Sequence, residues 1–135
     1  LVLGNINAKR DWGHAKDFVE AQWLILQQKK PDDYVIATGE QHSVKEFINI
    51  AAKYLDMRIY WKGSGIKEKG FNENGKVIIE CSKKYFRPAE VETLLGNPKK
   101  ARKLLKWKPK ITFKKLVSEM VESDFSKLEK LSKFH

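Results

Sequence analysis

The sequence is short of several residue types, and each shortage excludes a class of protein. Cys81 is the single cysteine among 135 residues, so no internal disulfide can form and a disulfide-stabilised secreted scaffold is excluded. No apolar run approaches the roughly 18 residues that a membrane span needs, and we expect no cleavable leader. We therefore predict a soluble protein without a membrane segment, located in the cytoplasm, with an inert and half-buried Cys81.

A glycine-rich phosphate loop is also missing. Dinucleotide folds need such a turn after the first strand so that the backbone can approach the pyrophosphate. The nearest candidate, Gly63-Ser64-Gly65, continues through Glu68 in a lysine-rich stretch. Because this pattern is no fingerprint, we predict no cofactor-binding residues in the chain. His42, His135 and Cys81 lack metal-ligand spacing, and we predict no metal site.

Positive charge is abundant. The formal net charge is +10, from 27 basic and 17 acidic residues, which raises nucleic acid as a partner. Acidic residues interrupt the lysines, however, and no predicted helix carries a continuous basic stripe beside exposed aromatics. A solvated, lysine-rich surface is the simpler interpretation, and we predict no nucleic-acid partner. A basic nucleic-acid binder remains an alternative that a salt-dependent gel shift would test.

Arginine is scarce, and its placement is informative. Only four arginines occur, and two of them, Arg10 and Arg87, lie in runs rich in aromatic residues or proline. A guanidinium offers a planar fork of donors that matches phosphate or carboxylate geometry. Pro88 also biases Arg87 toward an extended backbone. From these residues alone, Arg10 could instead pair with Asp11 or Asp17, and Arg87 with Glu90 or Glu92.

Hydrophobic periodicity predicts an α/β fold. A helix over about 15–30 should bury Phe18, Val19, Trp23 and Leu26 on one face, and residues 34–37 read as a buried strand of a parallel sheet. Ser43 and Glu46 form a capping box for the next helix. Residues 62–76 have too little apolar content for structure, so we expect a mobile loop. Two further strands are predicted at 58–61 and 77–80. Further helices are predicted over 44–55, from Asn97-Pro98 and from about Thr112. The last of these helices should bury one stripe of apolar residues: Phe113, Leu116, Val117, Met120, Val121 and Phe125.

Five sequence runs occur in an order that resembles one enzyme family. They are Leu3-Gly4-Asn5, residues 9–17, Ile36-Ala37-Thr38-Gly39, residues 85–96, and Trp107-Lys108-Pro109. The chain resembles the GDP-mannose 4,6-dehydratases, which belong to the extended short-chain dehydrogenase/reductase class. The resemblance spans nearly all of residues 1–135 but only the C-terminal part of such enzymes. It implies the C-terminal part of an extended Rossmann-type fold: the substrate-binding region plus a late strand and helix of the parallel sheet domain.

The resemblance also implies a reaction. Such enzymes use NADP to convert GDP-mannose to GDP-4-keto-6-deoxymannose for deoxyhexose synthesis, and they are similar in having a catalytic tyrosine four residues before a lysine. No tyrosine here has that spacing, because the residues four positions after the four tyrosines are Thr38, Arg58, Ser64 and Ala89. We therefore expect catalysis and most NADP contacts to lie outside this chain, and we expect the chain alone to be inactive. A full-length form would be a homo-oligomer.

The same resemblance implies that Arg10 and Arg87 hold the diphosphate of GDP-mannose and that Glu90 contacts the nucleoside. A carboxylate can accept hydrogen bonds from the ribose hydroxyls. Asp11, Trp12, Asp17, His14 and Trp107 are expected to be structural. Lys106 departs from the family pattern, which has glycine there. The alternative function is a stand-alone module that binds GDP-sugars or a partner without catalysis.

Overall fold

The computed structural model describes residues 1–87 and 91–132, and it confirms the α/β class. The described residues form six short strands, arranged in two sheets, and four α-helices. The helices are α1 (Ala15–Leu26), α2 (Val44–Tyr54), α3 (Lys99–Leu104) and α4 (Phe113–Ser132). The strands are β1 (Val2–Leu3), β2 (Lys9–Arg10), β3 (His42–Ser43), β4 (Tyr60–Lys62), β5 (Lys69–Phe71) and β6 (Val77–Cys81).

The larger sheet has the strand order β1-β6-β5-β4. Strand β1 pairs with β6 in parallel, with Val2 opposite Glu80 and Leu3 opposite Cys81, while β5 is antiparallel to both β6 and β4. The second sheet is the antiparallel pair β2 and β3. The strands predicted around 58–61 and 77–80 are therefore present, with shifted ends.

Residues 62–76 are structured, and our prediction of a mobile loop was wrong. A 3-10 turn over Gly65–Lys67 and strand β5 occupy the segment. Between them, the Glu68 side chain is buried, forms an ion pair with Lys45 Nζ and accepts a hydrogen bond from Asn7 Nδ2 at 3.0 Å. Polar contacts rather than apolar burial fix this segment, which is why its low hydrophobicity was misleading.

One buried cluster connects α1 with the segment around α3. Its fully buried members are Ala21, Ala101, Leu105 and Trp107, and Trp107 is 2% exposed. The predicted role of Trp107 in the core is confirmed, and its indole N–H donates to the carbonyl oxygen of Asp17 at 2.9 Å. Five partly buried side chains pack against this cluster: Phe18, Leu24, Ile25, Tyr34 and Ile36.

The buried face predicted for α1 was wrong except for Phe18. Val19, Trp23 and Leu26 are 61%, 59% and 80% exposed. At 100° per residue these three share one side of the helix, and the packed residues, centred on Ala21, occupy the other. Apolar side chains thus lie on both sides of α1, and periodicity alone did not identify the covered side. The helix also ends at Leu26 rather than near residue 30.

The strand predicted at 34–37 is not a strand in the described part of the chain. These residues are extended, but within residues 1–87 and 91–132 their main-chain groups have no ladder partner. Tyr34 and Ile36 pack against the core cluster, while Val35 is 53% exposed. The alternation of a strand is therefore present without the second strand that strand pairing requires.

Helix α2 begins as predicted. The Ser43 hydroxyl accepts from the Glu46 N–H at 3.1 Å, and the Glu46 carboxylate accepts from the Ser43 N–H at 2.8 Å, which completes the capping box. Helix α4 packs only through its first half, because Phe113 and Val117 are buried whereas Met120 and Phe125 are 47% and 50% exposed. The single apolar stripe predicted for α4 was therefore too long.

The short helix α3 begins one residue later than predicted, because its N-cap is Pro98 rather than Asn97. The Asn97 side chain still accepts from the Lys99 N–H at 3.2 Å in the first turn. After α3, Lys106 adopts a left-handed backbone with φ of 56°, the conformation that explains why glycine would be preferred there. Among the described helices, none combines the length and apolar character needed to cross a bilayer.

Candidate functional site

Strand β2 carries Arg10 between two other segments of chain. On one side Arg10 pairs with His42 of β3. On the other side, the Lys9 N–H donates to the Glu92 carbonyl at 2.8 Å, and the Leu94 N–H donates to the Lys9 carbonyl at 3.3 Å. The run that contains Arg10 is therefore hydrogen-bonded to the later part of the family-like run 85–96.

The Arg10 side chain reinforces this pairing. Its Nη1 donates to the carbonyl oxygens of Lys9 and Val91, at 2.7 and 2.8 Å. The partners considered for it from sequence, Asp11 and Asp17, accept hydrogen bonds from other groups. Arg10 thus holds residue 91 close to β2, with its guanidinium beside the family-like run 85–96.

Arg87 is exposed, and among the described residues it forms no ion pair, including none with Glu92. The chain reaches it through a turn in which the N–H groups of Tyr85 and Phe86 donate to the Ser82 carbonyl at 3.1 and 3.0 Å. Glu90 lies outside the described residues, as do Pro88 and Ala89. The ligand roles of Arg10, Arg87 and Glu90 therefore stay predictions.

Gly4 sets the position of this turn. A side-chain carbon at residue 4 would lie 2.2 Å from the carbonyl oxygen of Tyr85, far inside contact distance. Because glycine has no such carbon, the end of β1 can lie directly against the backbone of residues 85–86. The segment that leads to Arg87 is thus packed against the chain that leads to β2 and Arg10.

The two aspartates of the first run are structural, as predicted. Asp11 accepts from the Thr38 N–H at 2.8 Å, the Thr38 hydroxyl at 2.7 Å and the Gly39 N–H at 2.9 Å. Asp17 is 3% exposed and accepts from the N–H groups of Lys110 and Ile111 at 3.0 and 2.9 Å. Each carboxylate therefore satisfies backbone donors of a neighbouring loop.

Trp12 and His14 are also structural, in agreement with the sequence analysis. The Trp12 indole donates to the His42 carbonyl at 2.9 Å and packs beside Phe47 and Phe113. His14 caps α1 by accepting from the Lys16 N–H at 3.1 Å, and its Nε2 lies 3.1 Å from the Glu119 carboxylate. Trp12 and His14 therefore contact other parts of the fold, whereas the Arg10 side chain contacts residue 91.

A cavity of about 310 Å³ borders the Thr38–Glu40 loop. Arg102 lines it and donates to the Thr38 carbonyl at 2.6 Å. His42 also lines it, with its ring stacked on Phe113 at a centroid distance of 3.9 Å. Arg102 was not among the site residues predicted from the sequence, although the scarcity of arginine was a signal that could have identified it. His42 was considered only as a metal ligand.

The glycine pair Gly63 and Gly65 does not fit the phosphate loop of a dinucleotide-binding fold. Gly63 follows β4, but Gly65 opens a three-residue 3-10 turn that leads into an antiparallel strand rather than a helix. The helix N-terminus that binds a pyrophosphate in dinucleotide folds is therefore missing at this glycine pair. Within the described ranges, no three His, Cys, Asp or Glu side chains converge to form a metal site.

Cys81 occupies the end of β6 and is half-buried. Burial raises the pKa of its thiol, and the Glu68 carboxylate adds to the increase, although a backbone hydrogen bond at Ile6 opposes it. A raised pKa lowers the thiolate fraction, so Cys81 has the character of the inert thiol that the sequence suggested.

Comparison with known proteins identifies relatives over the whole chain. A sequence model of the family "GDP-mannose 4,6 dehydratase" matches residues 1–120. The chain is 55% identical to the GDP-mannose 4,6 dehydratase of Dictyostelium discoideum, with 100% of this chain and 38% of the relative covered. It is 58% identical to GDP-mannose 4,6 dehydratase 2 of Caenorhabditis elegans over 96% of this chain and 34% of the relative. The chain therefore spans about a third of the length of the curated relatives that it matches.

Solved structures support the fold. The chain resembles RMD from Pseudomonas aeruginosa complexed with NADPH, with a TM-score of 0.68 and 20% identity, over 90% of this chain and 34% of that one. It also resembles dTDP-glucose 4,6-dehydratase of Bacillus anthracis in complex with NAD, with a TM-score of 0.66 and 21% identity, over 90% and 33% of the two chains. At these identities the likeness concerns the fold alone.

Proposed function

Because the chain belongs to the GDP-mannose 4,6-dehydratase family, we propose that it is the C-terminal part of such an enzyme and binds its nucleotide sugar. Residues 1–135 would form the region that holds GDP-mannose. The NADP site and the residues that carry out the chemistry would lie in the part of the enzyme that this chain does not contain. The complete enzyme would yield GDP-4-keto-6-deoxymannose, act in the cytoplasm and form a homo-oligomer, whereas this chain alone would be inactive.

In this proposal Arg10 and Arg87 bind the diphosphate, and Glu90 accepts from the ribose hydroxyls. A guanidinium that contacts a phosphate oxygen forms a charge-assisted hydrogen bond worth about 1.5–3 kcal/mol. Two such contacts would therefore dominate the affinity for the nucleotide. The exposure of Arg87 supports the role, because no ion pair within the described residues competes for its donors.

One observation carries the proposal: Arg10 donates to the Val91 carbonyl at 2.8 Å. Residue 10 and residue 91 are distant in the sequence, yet this bond joins two of the five runs that carry the family resemblance. A diphosphate has two charged groups and needs donors that converge from separate segments. The pairing of β2 with residues 92–94 brings such segments together.

The proposal is tested in an intact enzyme. A chimera would carry this chain in place of the matching third of the Dictyostelium discoideum relative, and its turnover of GDP-mannose would be measured. We expect activity in the parental chimera, and Arg87→Ala should raise the KM for GDP-mannose about tenfold or more with little change in the Kd for NADP. Arg10→Ala should weaken GDP binding in the same direction.

Arg58 provides the matched control, because it is an exposed arginine near Asn72 and Asn74, outside both runs. Arg58→Ala should leave the KM for GDP-mannose unchanged. A folded chimera without dehydratase activity would refute the proposed reaction, and an unchanged KM in Arg87→Ala would remove Arg87 from the site. The alternative, a stand-alone binding module, requires that this chain bind GDP-mannose without the rest of the enzyme. Calorimetry of GDP-mannose with this chain alone measures that affinity.

A further inference from the structure

Two basic side chains border a cavity that is separate from the arginines predicted to bind GDP-mannose. Arg102 of α3 and Lys108, which follows α3, line the cavity of about 310 Å³ beside the Thr38–Glu40 loop. Neither Arg10 nor Arg87 lines it. We call this space the Arg102 cavity. Its volume is at the lower end of the range for small-molecule sites, so it has the size for a small metabolite rather than for a nucleotide sugar.

Arg102 is held in place at the wall of the Arg102 cavity. Its Nη2 donates to the Thr38 carbonyl at 2.6 Å. Gly39 allows this approach, since a side-chain carbon there would lie 3.2 Å from the same nitrogen. The Asp11 carboxylate in turn holds the loop, because it accepts hydrogen bonds from the Thr38 N–H, the Thr38 hydroxyl and the Gly39 N–H. A guanidinium carries five N–H donors in a planar fork, so the bond to Thr38 orients the group and leaves donors for a ligand.

The positive charge at the Arg102 cavity is not neutralised within the part of the chain that the structure describes. The nearby residues Lys100 and Lys110 each form an ion pair with a carboxylate. In contrast, Arg102 and Lys108 are exposed and form no ion pair with a described carboxylate. Glu40 is the single acidic residue that lines the cavity, and its side chain is 76% exposed. Two cations therefore border the cavity against one solvated carboxylate, which favours an anionic ligand.

A histidine in the wall of the same cavity has an unused polar atom. The ring of His42 lies parallel to that of Phe113, with centroids 3.9 Å apart. Its Nδ1 is 3.3 Å from the Glu46 carboxylate, which favours the proton on Nδ1 and makes Nε2 an acceptor. Nε2 is buried and has no hydrogen-bond partner among the described residues, since the Glu40 carboxylate is 3.8 Å away. Buried polar atoms usually have a partner, and a ligand hydroxyl at this wall would supply one.

We propose that the Arg102 cavity binds a small hydroxylated phosphomonoester. A phosphate group can accept from a guanidinium fork and from an ammonium at the same time, so Arg102 and Lys108 bind the phosphate. His42 Nε2 accepts from a hydroxyl of the organic part, which distinguishes the ester from free inorganic phosphate. The site lies within this chain and does not require that GDP-mannose bind to it, so the proposal goes beyond the proposed function.

Calorimetric titration of this chain near neutral pH tests the proposal with four probes: glucose 6-phosphate, glycerol 3-phosphate, inorganic phosphate and glucose. We expect both esters to bind more tightly than inorganic phosphate and glucose to give no heat. Arg102→Ala should raise the Kd of both esters at least about tenfold. Arg58→Ala is the matched control, because it removes the same charge at a different cavity. No binding of either ester, or equal effects of the two variants, would overturn the proposal.

Two further variants avoid the loss of the bond to Thr38 that Arg102→Ala causes. Lys108→Ala removes no hydrogen bond or ion pair among the described residues, and it should raise the Kd of the esters about threefold or more. Lys103→Ala is its control, since Lys103 is exposed on α3 and does not line the cavity. His42→Phe keeps a ring for the stack and removes Nε2, so it should weaken the esters and leave inorganic phosphate unchanged. An equal loss for the esters and inorganic phosphate would overturn the phosphomonoester as the ligand.

Competition in the chimera separates this proposal from the proposed function. Saturating GDP-mannose and NADP should leave the binding of glucose 6-phosphate unchanged. Displacement by either compound would assign the Arg102 cavity to the substrate or cofactor site, which would overturn the proposal and leave the proposed function standing. A folded but inactive chimera that binds glucose 6-phosphate, with binding weakened by Arg102→Ala, would support the proposal while the proposed reaction fails.

Discussion

Residues 9–17 lie beside residues 91–94, which belong to the same family-like run (85–96) as Arg87, and the protein uses the polar groups of the two runs in different ways. In the first run Asp11, Trp12, His14 and Asp17 all form hydrogen bonds within the protein. In the second, Arg87 is exposed and without an ion-pair partner among the described residues. The first run therefore supports the framework, whereas Arg87 of the second is exposed to solvent. A run of residues typical of a family can stabilise the fold, bind a ligand or do both. Hydrogen bonds within the protein indicate the first role, and an exposed charged side chain is compatible with the second.

The largest effect is expected from removing an internal acceptor of the first run. Asp17→Ala should lower the free energy of unfolding by about 3 kcal/mol, because the N–H groups of Lys110 and Ile111 would lose a buried charged acceptor. Urea denaturation measures the change. Asp124→Ala is the control, since that carboxylate is exposed and only 3.5 Å from Lys127, and its effect should stay within about 0.5 kcal/mol. Equal effects would contradict the framework role of the first run.

A pH-dependent effect is expected at Glu68, which binds Asn7 just before the first run. Burial raises the pKa of Glu68, but the hydrogen bonds from Lys45 and Asn7 outweigh it, so the pKa lies below its ordinary value. A lowered folded-state pKa gives stability that is present above the ordinary glutamate pKa of about 4.3 and lost as the pH falls through the folded value.

Glu68→Gln should therefore lower the free energy of unfolding by about 2 kcal/mol at neutral pH, and the difference from the parent should shrink steadily below about pH 4. Thermal unfolding between pH 2.5 and 7 measures it, with the solvent-exposed Glu73→Gln as the control. A difference that is independent of pH would mean that the charge of Glu68 does not stabilise the fold.

A smaller effect separates the two arginines of the candidate site. Arg10→Ala should lower the free energy of unfolding by about 1 kcal/mol because the bond to the Val91 carbonyl is lost, whereas Arg87→Ala should change it by less than about 0.5 kcal/mol. Chemical denaturation of both variants without ligand provides the measurement. A destabilisation by Arg87→Ala as large as that of Arg10→Ala would remove the contrast between the runs.

The smallest effect is expected at Lys106, beside the tryptophan that binds Asp17. Its φ of 56° is strained for a residue with a side chain. Lys106→Gly should relieve that strain, partly offset by the greater freedom of glycine in the unfolded chain, for a net gain of about 0.5 kcal/mol. Lys103→Gly within α3 should instead lose about 1 kcal/mol. A loss at both positions would show that the backbone at Lys106 is not strained.

Local chemistry was the part of the fold that the sequence predicted well. The Ser43–Glu46 capping box and the burial of Trp107 depend on short-range rules or on a large apolar side chain, and both are present. The start of α3 was predicted to within one residue. The strands around 58–61 and 77–80 were found because their apolar residues are β-branched or aromatic. Such features depend on near neighbours in the chain.

The errors arose where a distant partner decides the structure. Val19 and Trp23 have the spacing of a buried face, but the core cluster covers the opposite side of α1. Residues 34–37 have the alternation of a strand without a paired strand in the described residues. Glu68 organises a polar segment through Lys45 and Asn7, contacts that a hydrophobicity pattern does not report. In the candidate site, the contact between Arg10 and the Val91 carbonyl could not be predicted from the sequence, because the two residues are far apart along the chain.

The pairing of β1 with β6 has a consequence for the order of folding. The amino group of Leu1 reaches the carbonyl of Ile78, a separation of 77 residues, so this pairing closes a long loop and pays the entropy of doing so. The antiparallel strands β5 and β6 are close in sequence and can associate early, whereas β1 must wait for them. We therefore expect the amides of Glu80 and Ser82, which bond to the carbonyls of Leu1 and Leu3, to exchange with deuterium sooner than those between β5 and β6. Each such opening would also free Gly4 from Tyr85 and let the Arg87 segment move.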